Sequence, residues 1–164
     1  MFDWLSEDQR ALRDMAENFA RKELEPIANQ IDMEEHTPDE LVKKAAELGL
    51  YGLYTSQDYG GSGADLVSVC LVSEELAKAS PAFAGMLTVQ MVLCPKAVEI
   101  LGTEEQKQRI LPACASGERL MAYSQSEPAG AANIGNHLTK IVPDAGANDG
   151  YRIDGSKLYC TQGT

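Results

Sequence analysis

The pattern of apolar residues changes at Gly117, and this change constrains the fold more than any other feature of the sequence. Before it, apolar residues recur every three or four positions, which is the period of an amphipathic helix. After it, short alternating runs at 120–123, 138–142 and 151–153 are separated by Pro, Gly, Asn and Asp, which is typical of strands. The sequence therefore predicts a helical domain over residues 1–118 and a β domain that begins within 119–164.

Several helix starts are marked by capping residues. Ser6 is followed three positions later by Gln9, and Thr103 by Gln106, which is the spacing of a capping box. Thr37, Pro38 and Glu40 occupy the N-cap, N1 and N3 positions before a second apolar run, and Asp65 precedes a run that fits a buried helix. These signals predict several helices, not one long one.

Two prolines and a glycine-rich segment predict interruptions. Proline lacks the amide hydrogen that a helix interior uses, so we expect a break near Pro26 and a bend at Pro95. Glycines and tyrosines between Gly49 and Asp65 favour a structured loop. We expect one helical core to bury most of Leu12, Phe19, Leu24, Leu41, Leu48, Val69, Val72, Leu76, Leu87, Val92, Leu93 and Ile110.

The expected fold class is mainly α, with an orthogonal or bundle-like helical domain followed by the first strands of a β-barrel-like domain. About three strands cannot cover the edges of a sheet, so we expect the second domain to be incomplete and the chain to be truncated.

Composition excludes several classes of function. The chain has 14 Lys and Arg against 25 Asp and Glu, and the resulting charge of −11 argues against binding to nucleic acid. His36 and His137 stand alone, so we expect no metal site. The four cysteines form no C-x-x-C pair and lie beside apolar residues, which indicates small buried side chains in a reducing compartment: Cys70, Cys94, Cys114 and Cys160.

No apolar run reaches about 18 residues, and Met1 precedes the first helix signal by only five residues. We therefore expect a soluble, cytoplasmic protein without membrane insertion.

The best candidate site is the segment from Tyr123 to Gly130, where a predicted strand ends in hydroxyl groups before a Pro/Gly turn. Backbone amides and a hydroxyl could face a planar heteroaromatic ring there. The residues alone also allow an ordinary strand-to-turn transition. Glu74 and Glu75 are adjacent on a helix and point about 100° apart, so they indicate surface charge and not an acid/base pair.

Six short motifs occur in an order and spacing similar to those of the acyl-CoA dehydrogenase family. The resemblance covers the whole chain, and it lies in the order of the motifs more than in any one of them. They are Tyr59-Gly60-Gly61, Glu74-Glu75-Leu76-Ala77, Leu101-Gly102-Thr103-Glu104-Glu105-Gln106-Lys107, Ser116-Gly117-Glu118, Ser126-Glu127-Pro128-Ala129-Gly130 and Gly155-Ser156-Lys157-Leu158-Tyr159-Cys160-Thr161.

The resemblance implies an FAD site. It places Tyr123, Gln125 and Ser126 against the flavin, with the Ser126 hydroxyl toward the pyrimidine side and backbone near Gln125 donating to a flavin oxygen. It places Tyr159 over one face of the ring, where the family usually has Trp, and Thr161 near N5, where hydride arrives.

The chain departs from the family pattern at the coenzyme A contact. The family usually has Gly-Ser-Asp where this chain has Ala131-Ala132-Asn133. Ala132 lacks the serine hydroxyl that helps to hold coenzyme A, so Asn133 could replace it or the substrate could be held differently. The resemblance also assigns the proton-abstracting glutamate to a carboxy-terminal helical domain, so we expect no catalytic residue in this chain and no activity from it alone.

The function implied by the resemblance is oxidation of an acyl-CoA to its trans-2-enoyl-CoA, in fatty acid β-oxidation, with electrons passing through FAD to an electron-transfer flavoprotein. A homotetramer or homodimer is expected. The alternatives are a related flavoenzyme that reduces an enoyl-CoA or acts as a monooxygenase, and a non-catalytic helical interaction domain.

Overall fold

The computed structural model describes residues 4–144, 146 and 150–163. The chain forms two compact units, the first ending at Met121 and the second beginning at Ala122. A mainly helical first unit and a short antiparallel sheet in the second confirm the predicted fold class. The domain boundary drawn after residue 118 from the sequence stays a prediction.

Helices make up the first unit. Its α-helices are α1 (Glu7–Phe19), α2 (Ala28–Glu34), α3 (Asp39–Glu47), α4 (Leu66–Ala79), α5 (Pro81–Thr88), α6 (Cys94–Leu101) and α7 (Glu104–Ala115). Wider π-helical turns cover Ala20–Leu24 and Val89–Leu93, and 3₁₀ turns cover Glu25–Ile27 and Gln57–Tyr59.

Two predicted capping boxes are confirmed, whereas α3 begins after Pro38 without a side-chain cap, so the predicted N-cap Thr37 is wrong. The Ser6 hydroxyl accepts the N–H of Gln9 at 3.1 Å, and the Gln9 side chain returns a hydrogen bond to the N–H of Ser6. Thr103 and Gln106 repeat this capping box at the start of α7. Asp65 accepts a backbone N–H three residues later at 2.8 Å and begins α4. Each cap satisfies amide groups that the helix itself leaves without partners.

The predicted break at Pro26 occurs, and an irregular helical turn lies beside Pro95. The 3₁₀ turn Glu25–Ile27 contains Pro26 and separates α1 from α2. The π-helical turn Val89–Leu93 immediately precedes α6, whose second residue is Pro95. Proline removes a helical hydrogen bond, and an irregular turn beside it accommodates that loss.

The first unit has one apolar core, as predicted. Of the twelve predicted core residues, seven are buried and Leu12, Val92 and Ile110 are partly buried. The prediction of burial is wrong for Leu48 and Leu93, whose exposed fractions are 43% and 42%. Leu48 is the C-cap that follows α3, and the π-helical turn that includes Leu93 shifts the register of buried positions.

The predicted loop between α3 and α4 contributes to this core. Tyr51 and Thr55 are buried within it. Burial raises the pKa of the Tyr51 phenol to about 12. A Cβ on Gly61 would stand 2.0 Å from the carbonyl oxygen of Thr55, so only glycine fits there. The glycines of this segment therefore permit close backbone packing.

The cysteine prediction is half wrong. Cys94 and Cys114 are buried, and burial raises the pKa of the Cys114 thiol. Cys70 and Cys160 are exposed. Cys70 follows Val69, which lies on the buried face of α4, and successive helix residues point about 100° apart.

The continuous helical stretch Pro81–Leu101 is long and apolar enough to cross a membrane by length and composition alone. Phe83, Leu87 and Met91 of this stretch are buried in the same core as α1 and α4. We therefore describe it as a core helix of the first unit.

The second unit contains a two-stranded sheet. Strand β1 (Lys140–Pro143) pairs antiparallel with β2 (Tyr151–Asp154), with Ile141 opposite Ile153. These strands match two of the three predicted runs. The run at 120–123 is not a regular strand: only Tyr123 is bridged, to Thr161, so the predicted strand is reduced to one backbone pair.

Candidate functional site

Two segments that the sequence assigns to one ligand lie side by side in the second unit. The N–H of Tyr123 donates to the carbonyl oxygen of Thr161 at 3.2 Å, and the N–H of Leu158 donates to that of Ser126 at 2.8 Å. Residues 123–126 therefore run antiparallel to 158–161. The fold brings together Tyr123, Gln125, Ser126, Tyr159 and Thr161, although 32 or more residues separate the two segments in sequence.

Tyr159 stands out because of its backbone. Its φ is 57°, in the left-handed region that a bulky aromatic residue rarely adopts, and its exposed fraction is 89%. Hydrogen bonds from Leu158 and to Thr161 hold the chain on either side of it. The strained backbone thus presents an open aromatic face, which suits stacking on a flat heteroaromatic ligand.

Several hydrogen-bond donors of the two segments make no hydrogen bond within the described part of the chain. Within the described part of the chain, the hydroxyls of Ser126 and Thr161 and the backbone N–H groups of Gln125 and Ser126 donate to no other residue. The side chain of Gln125, in contrast, accepts the Tyr123 hydroxyl at 2.9 Å. Among the described residues, the two segments therefore offer unpaired hydroxyl and amide donors together with the exposed ring of Tyr159.

Ala132 and Asn133 lie on an exposed stretch of the second unit. Both are exposed and come just before the 3₁₀ turn Ile134–Asn136, whose last N–H donates to the Asn133 carbonyl at 3.0 Å. Among the described residues, no hydrogen bond joins either of them to the segments 123–126 or 158–161. Their contact with coenzyme A stays a prediction.

Glu127 is a residue that sequence reasoning did not single out. Its exposed fraction is 4%, and its carboxylate accepts the backbone N–H groups of Leu138 and Thr139. Lys157 Nζ lies 2.8 Å from one carboxylate oxygen. The Lys157 ammonium, followed by these two amides, holds the pKa of the Glu127 carboxyl well below its usual range.

Lys157 precedes the second segment and makes two contacts with the chain at the first segment. Besides Glu127, its ammonium donates to the carbonyl oxygen of Gln125 at 2.9 Å. A signal was present in the sequence, because residues of opposite charge adjoin the two segments assigned to the ligand. Their 30-residue separation gave no reason to pair them.

Comparison with known proteins identifies relatives of the chain. Residues 6–118 match the family model described as the acyl-CoA dehydrogenase, N-terminal domain. The short-chain-specific acyl-CoA dehydrogenase of Clostridium acetobutylicum is 38% identical over 97% of this chain and 41% of its own length. The acryloyl-CoA reductase (NADH) of Anaerotignum propionicum is 34% identical over 97% of this chain and 40% of its own length.

A solved structure agrees with this similarity. The acyl-CoA dehydrogenase of Bacillus anthracis, solved in complex with FAD, superposes with a TM-score of 0.86 at 30% identity, over 95% of this chain and 27% of that one. The chain thus spans about two fifths of the length of the curated relatives named above.

Proposed function

Because the chain belongs to the acyl-CoA dehydrogenase family, we propose that its complete gene product is an FAD-dependent oxidoreductase that converts an acyl-CoA to the trans-2-enoyl-CoA. The observation that carries the proposal is the pairing of Tyr123 with Thr161. It unites the two segments that the family resemblance assigns to the flavin.

The residues present fit a flavin. The exposed ring of Tyr159 can cover an aromatic face. The hydroxyl of Thr161 and the amides of Gln125 and Ser126, which donate to no other described residue, can donate to ring heteroatoms. FAD supplies the hydride-accepting chemistry when bound. The residues of this chain hold and orient the ring, and donors fixed before the reaction stabilise charge without reorganising.

Proton abstraction needs a carboxylate whose pKa is raised by burial. Glu127 is buried but held in its charged form by Lys157, so it is a poor candidate for that base. We propose that the base is a glutamate outside residues 1–164, in agreement with the family resemblance.

A direct experiment uses the purified complete gene product. Its visible spectrum should show bound flavin, and anaerobic addition of short-chain acyl-CoAs such as butyryl-CoA should bleach that absorbance. An artificial electron acceptor should then turn over in the presence of the substrate. A colourless protein, or a flavin that no acyl-CoA in a series of chain lengths bleaches, would count against the proposal.

A reductase acting in the opposite direction is the second candidate. It is supported by the 34% identity to an acryloyl-CoA reductase (NADH) and by Ala132, which lacks the hydroxyl of the usual dehydrogenase serine. Enoyl-CoA-dependent oxidation of NADH, without detectable oxidation of saturated acyl-CoA, would favour this candidate.

The wider setting follows from the same proposal. The oxidation of one acyl-CoA releases two electrons, so an electron-transfer flavoprotein is the proposed acceptor. Fatty acid β-oxidation in the cytoplasm is the proposed setting. A homodimer or homotetramer is the proposed assembly. Light scattering of the purified gene product tests its mass, and reduction of a purified electron-transfer flavoprotein tests the partner.

A further inference from the structure

The second unit has an unusual interior. Among its described residues, 122–144, 146 and 150–163, the only buried one is Glu127. Strands β1 and β2 are largely exposed, including Ile141 and Ile153. Apolar packing within the described residues therefore does little to fix their relative positions, and directional polar contacts have to do more.

The contacts of Glu127 join three separate stretches of chain. Its carboxylate accepts the amides of Leu138 and Thr139, just before β1, and pairs with Lys157 at 2.8 Å. Lys157 in turn donates to the Gln125 carbonyl at 2.9 Å. The pair is the charged centre of a network that includes both candidate flavin segments.

Geometry connects this network to the ligand contacts. Gln125 and Ser126 immediately precede Glu127, and Leu158 and Tyr159 immediately follow Lys157. The N–H of Leu158 meets the carbonyl oxygen of Ser126 at 2.8 Å beside the ion pair. A shift of the ion pair would therefore move the backbone amides and the ring that face the ligand.

We propose that the Glu127–Lys157 ion pair is a clamp that sets the register of residues 123–126 against 158–161, so that both are positioning residues for the bound flavin. This inference rests on the proposed function. Neither side chain is assigned a contact with the ring. They act through Gln125, Ser126 and the backbone around Tyr159.

Two variants, each replacing one charged residue of the ion pair by a neutral one, remove different contacts of the clamp. Lys157→Met keeps much of the side-chain length but removes the ammonium, leaving the Gln125 carbonyl without its donor. Glu127→Gln keeps one acceptor oxygen but turns an NH₂ group toward a backbone N–H, so it loses the ion pair and one amide contact. Lys157→Arg keeps the charge and serves as the conservative rescue.

Lys140→Met is the matched control. Lys140 is an exposed residue of β1 and forms no ion pair within the described part of the chain. The same change at the two lysines therefore compares a clamp position with an exposed position of the same unit.

The first readout needs no flavin. Amide hydrogen exchange is measured in the complete gene product before FAD is added. Lys157→Met and Glu127→Gln should each accelerate exchange of the Leu158 amide by about tenfold or more, because that hydrogen bond lies beside the clamp. Lys140→Met should leave it unchanged, and Lys157→Arg should restore most of the protection.

The second readout is the flavin itself. Loss of a hydrogen bond to a charged group predicts a dissociation constant for FAD that is about 10- to 100-fold larger in Lys157→Met. The double variant Glu127→Gln/Lys157→Met should be little worse than the more severe single variant, because both changes break one unit. Lys140→Met should bind FAD like the wild type.

The outcomes separate the two ideas. If the wild type neither holds flavin nor oxidises acyl-CoA, the proposed function fails, and the exchange data alone decide whether the clamp aligns the two segments. If the wild type is active and Lys157→Met binds FAD within about twofold of Lys140→Met, the positioning role is overturned while the proposed function stands. Equal exchange of Leu158 in Lys157→Met and Lys140→Met would overturn the clamp itself.

Discussion

Replacing Leu87 with alanine should strongly destabilise the first unit. Leu87 lies on α5, its exposed fraction is 0%, and Phe83 and Met91 belong to the same core. The substitution removes three carbon groups, whose transfer at about 0.8 kcal/mol each gives about 2.4 kcal/mol. The cavity left behind raises the expected loss of unfolding free energy to about 3–5 kcal/mol.

Leu93 provides the comparison on the same continuous helical stretch. Its side chain is 42% exposed, so the same three carbons lose only about three fifths as much burial. Solvent can enter the space that they leave. The expected loss is therefore about 1.5 kcal/mol or less.

Urea unfolding of the 164-residue chain, followed by far-UV circular dichroism, measures both losses. The slopes should match, so the midpoints report free energy directly. The Leu87→Ala loss should exceed the Leu93→Ala loss by about 1.5 kcal/mol or more. An equal or larger loss for Leu93→Ala would show that the register assigned across the π-helical turn is wrong.

Four further predictions follow from other parts of the structure. Gly61→Ala should cost about 1–3 kcal/mol in a thermal melt, because the added carbon meets the Thr55 carbonyl; a neutral result would contradict the close approach. In the complete gene product, Thr161→Val should weaken flavin retention or slow its reduction by about 0.5–1.5 kcal/mol, and an unchanged spectrum and unchanged reduction kinetics would remove Thr161 from the site. Folding lowers the pKa of the Glu127 carboxyl. The charged carboxylate therefore stabilises the fold above the unfolded pKa of about 4.3, and this stabilisation is lost as the pH falls through the lower folded pKa. Glu127→Gln should abolish this acid sensitivity in the amide signals of residues 138–139. The chain alone should neither hold FAD tightly nor oxidise acyl-CoA, because Tyr159 and its neighbours are too exposed to bury most of a ligand; stoichiometric flavin with acceptor reduction above a free-flavin blank would refute this.

The features that the sequence predicted well are local. The capping boxes at Ser6 and Thr103 and the break at Pro26 depend on residues within about four positions of one another, so spacing alone identifies them. The Leu93 error has a different cause. A regular helical period carried through residues 89–93 places Leu93 in the core, whereas the wider turn there buries Gln90 and Met91.

The candidate site also contains residues that the sequence predicts and residues that only the fold reveals. Tyr123, Gln125, Ser126, Tyr159 and Thr161 were named through resemblance, and the structure brings their segments together. The sequence does not predict the ion pair between Glu127 and Lys157, because charged residues are usually solvated. Only the fold shows that these two residues, 30 positions apart in sequence, bring the Lys157 nitrogen within 2.8 Å of a Glu127 carboxylate oxygen.

In the first unit, the buried side chain of Gln90 also holds irregular backbone. It is fully buried, and its amide nitrogen donates to the carbonyl oxygens of Cys114 and Arg119 while its oxygen accepts the N–H of Met121 at 2.7 Å. The chain from Arg119 to Met121 is in no helix or strand and cannot satisfy its own polar groups through regular pairing. A buried amide does so instead, as the Glu127 carboxylate does for the amides at 138 and 139. In both units, a buried polar side chain therefore fixes irregular backbone next to or within the segments assigned to the flavin, and its directional contacts specify a position that apolar packing would leave less defined.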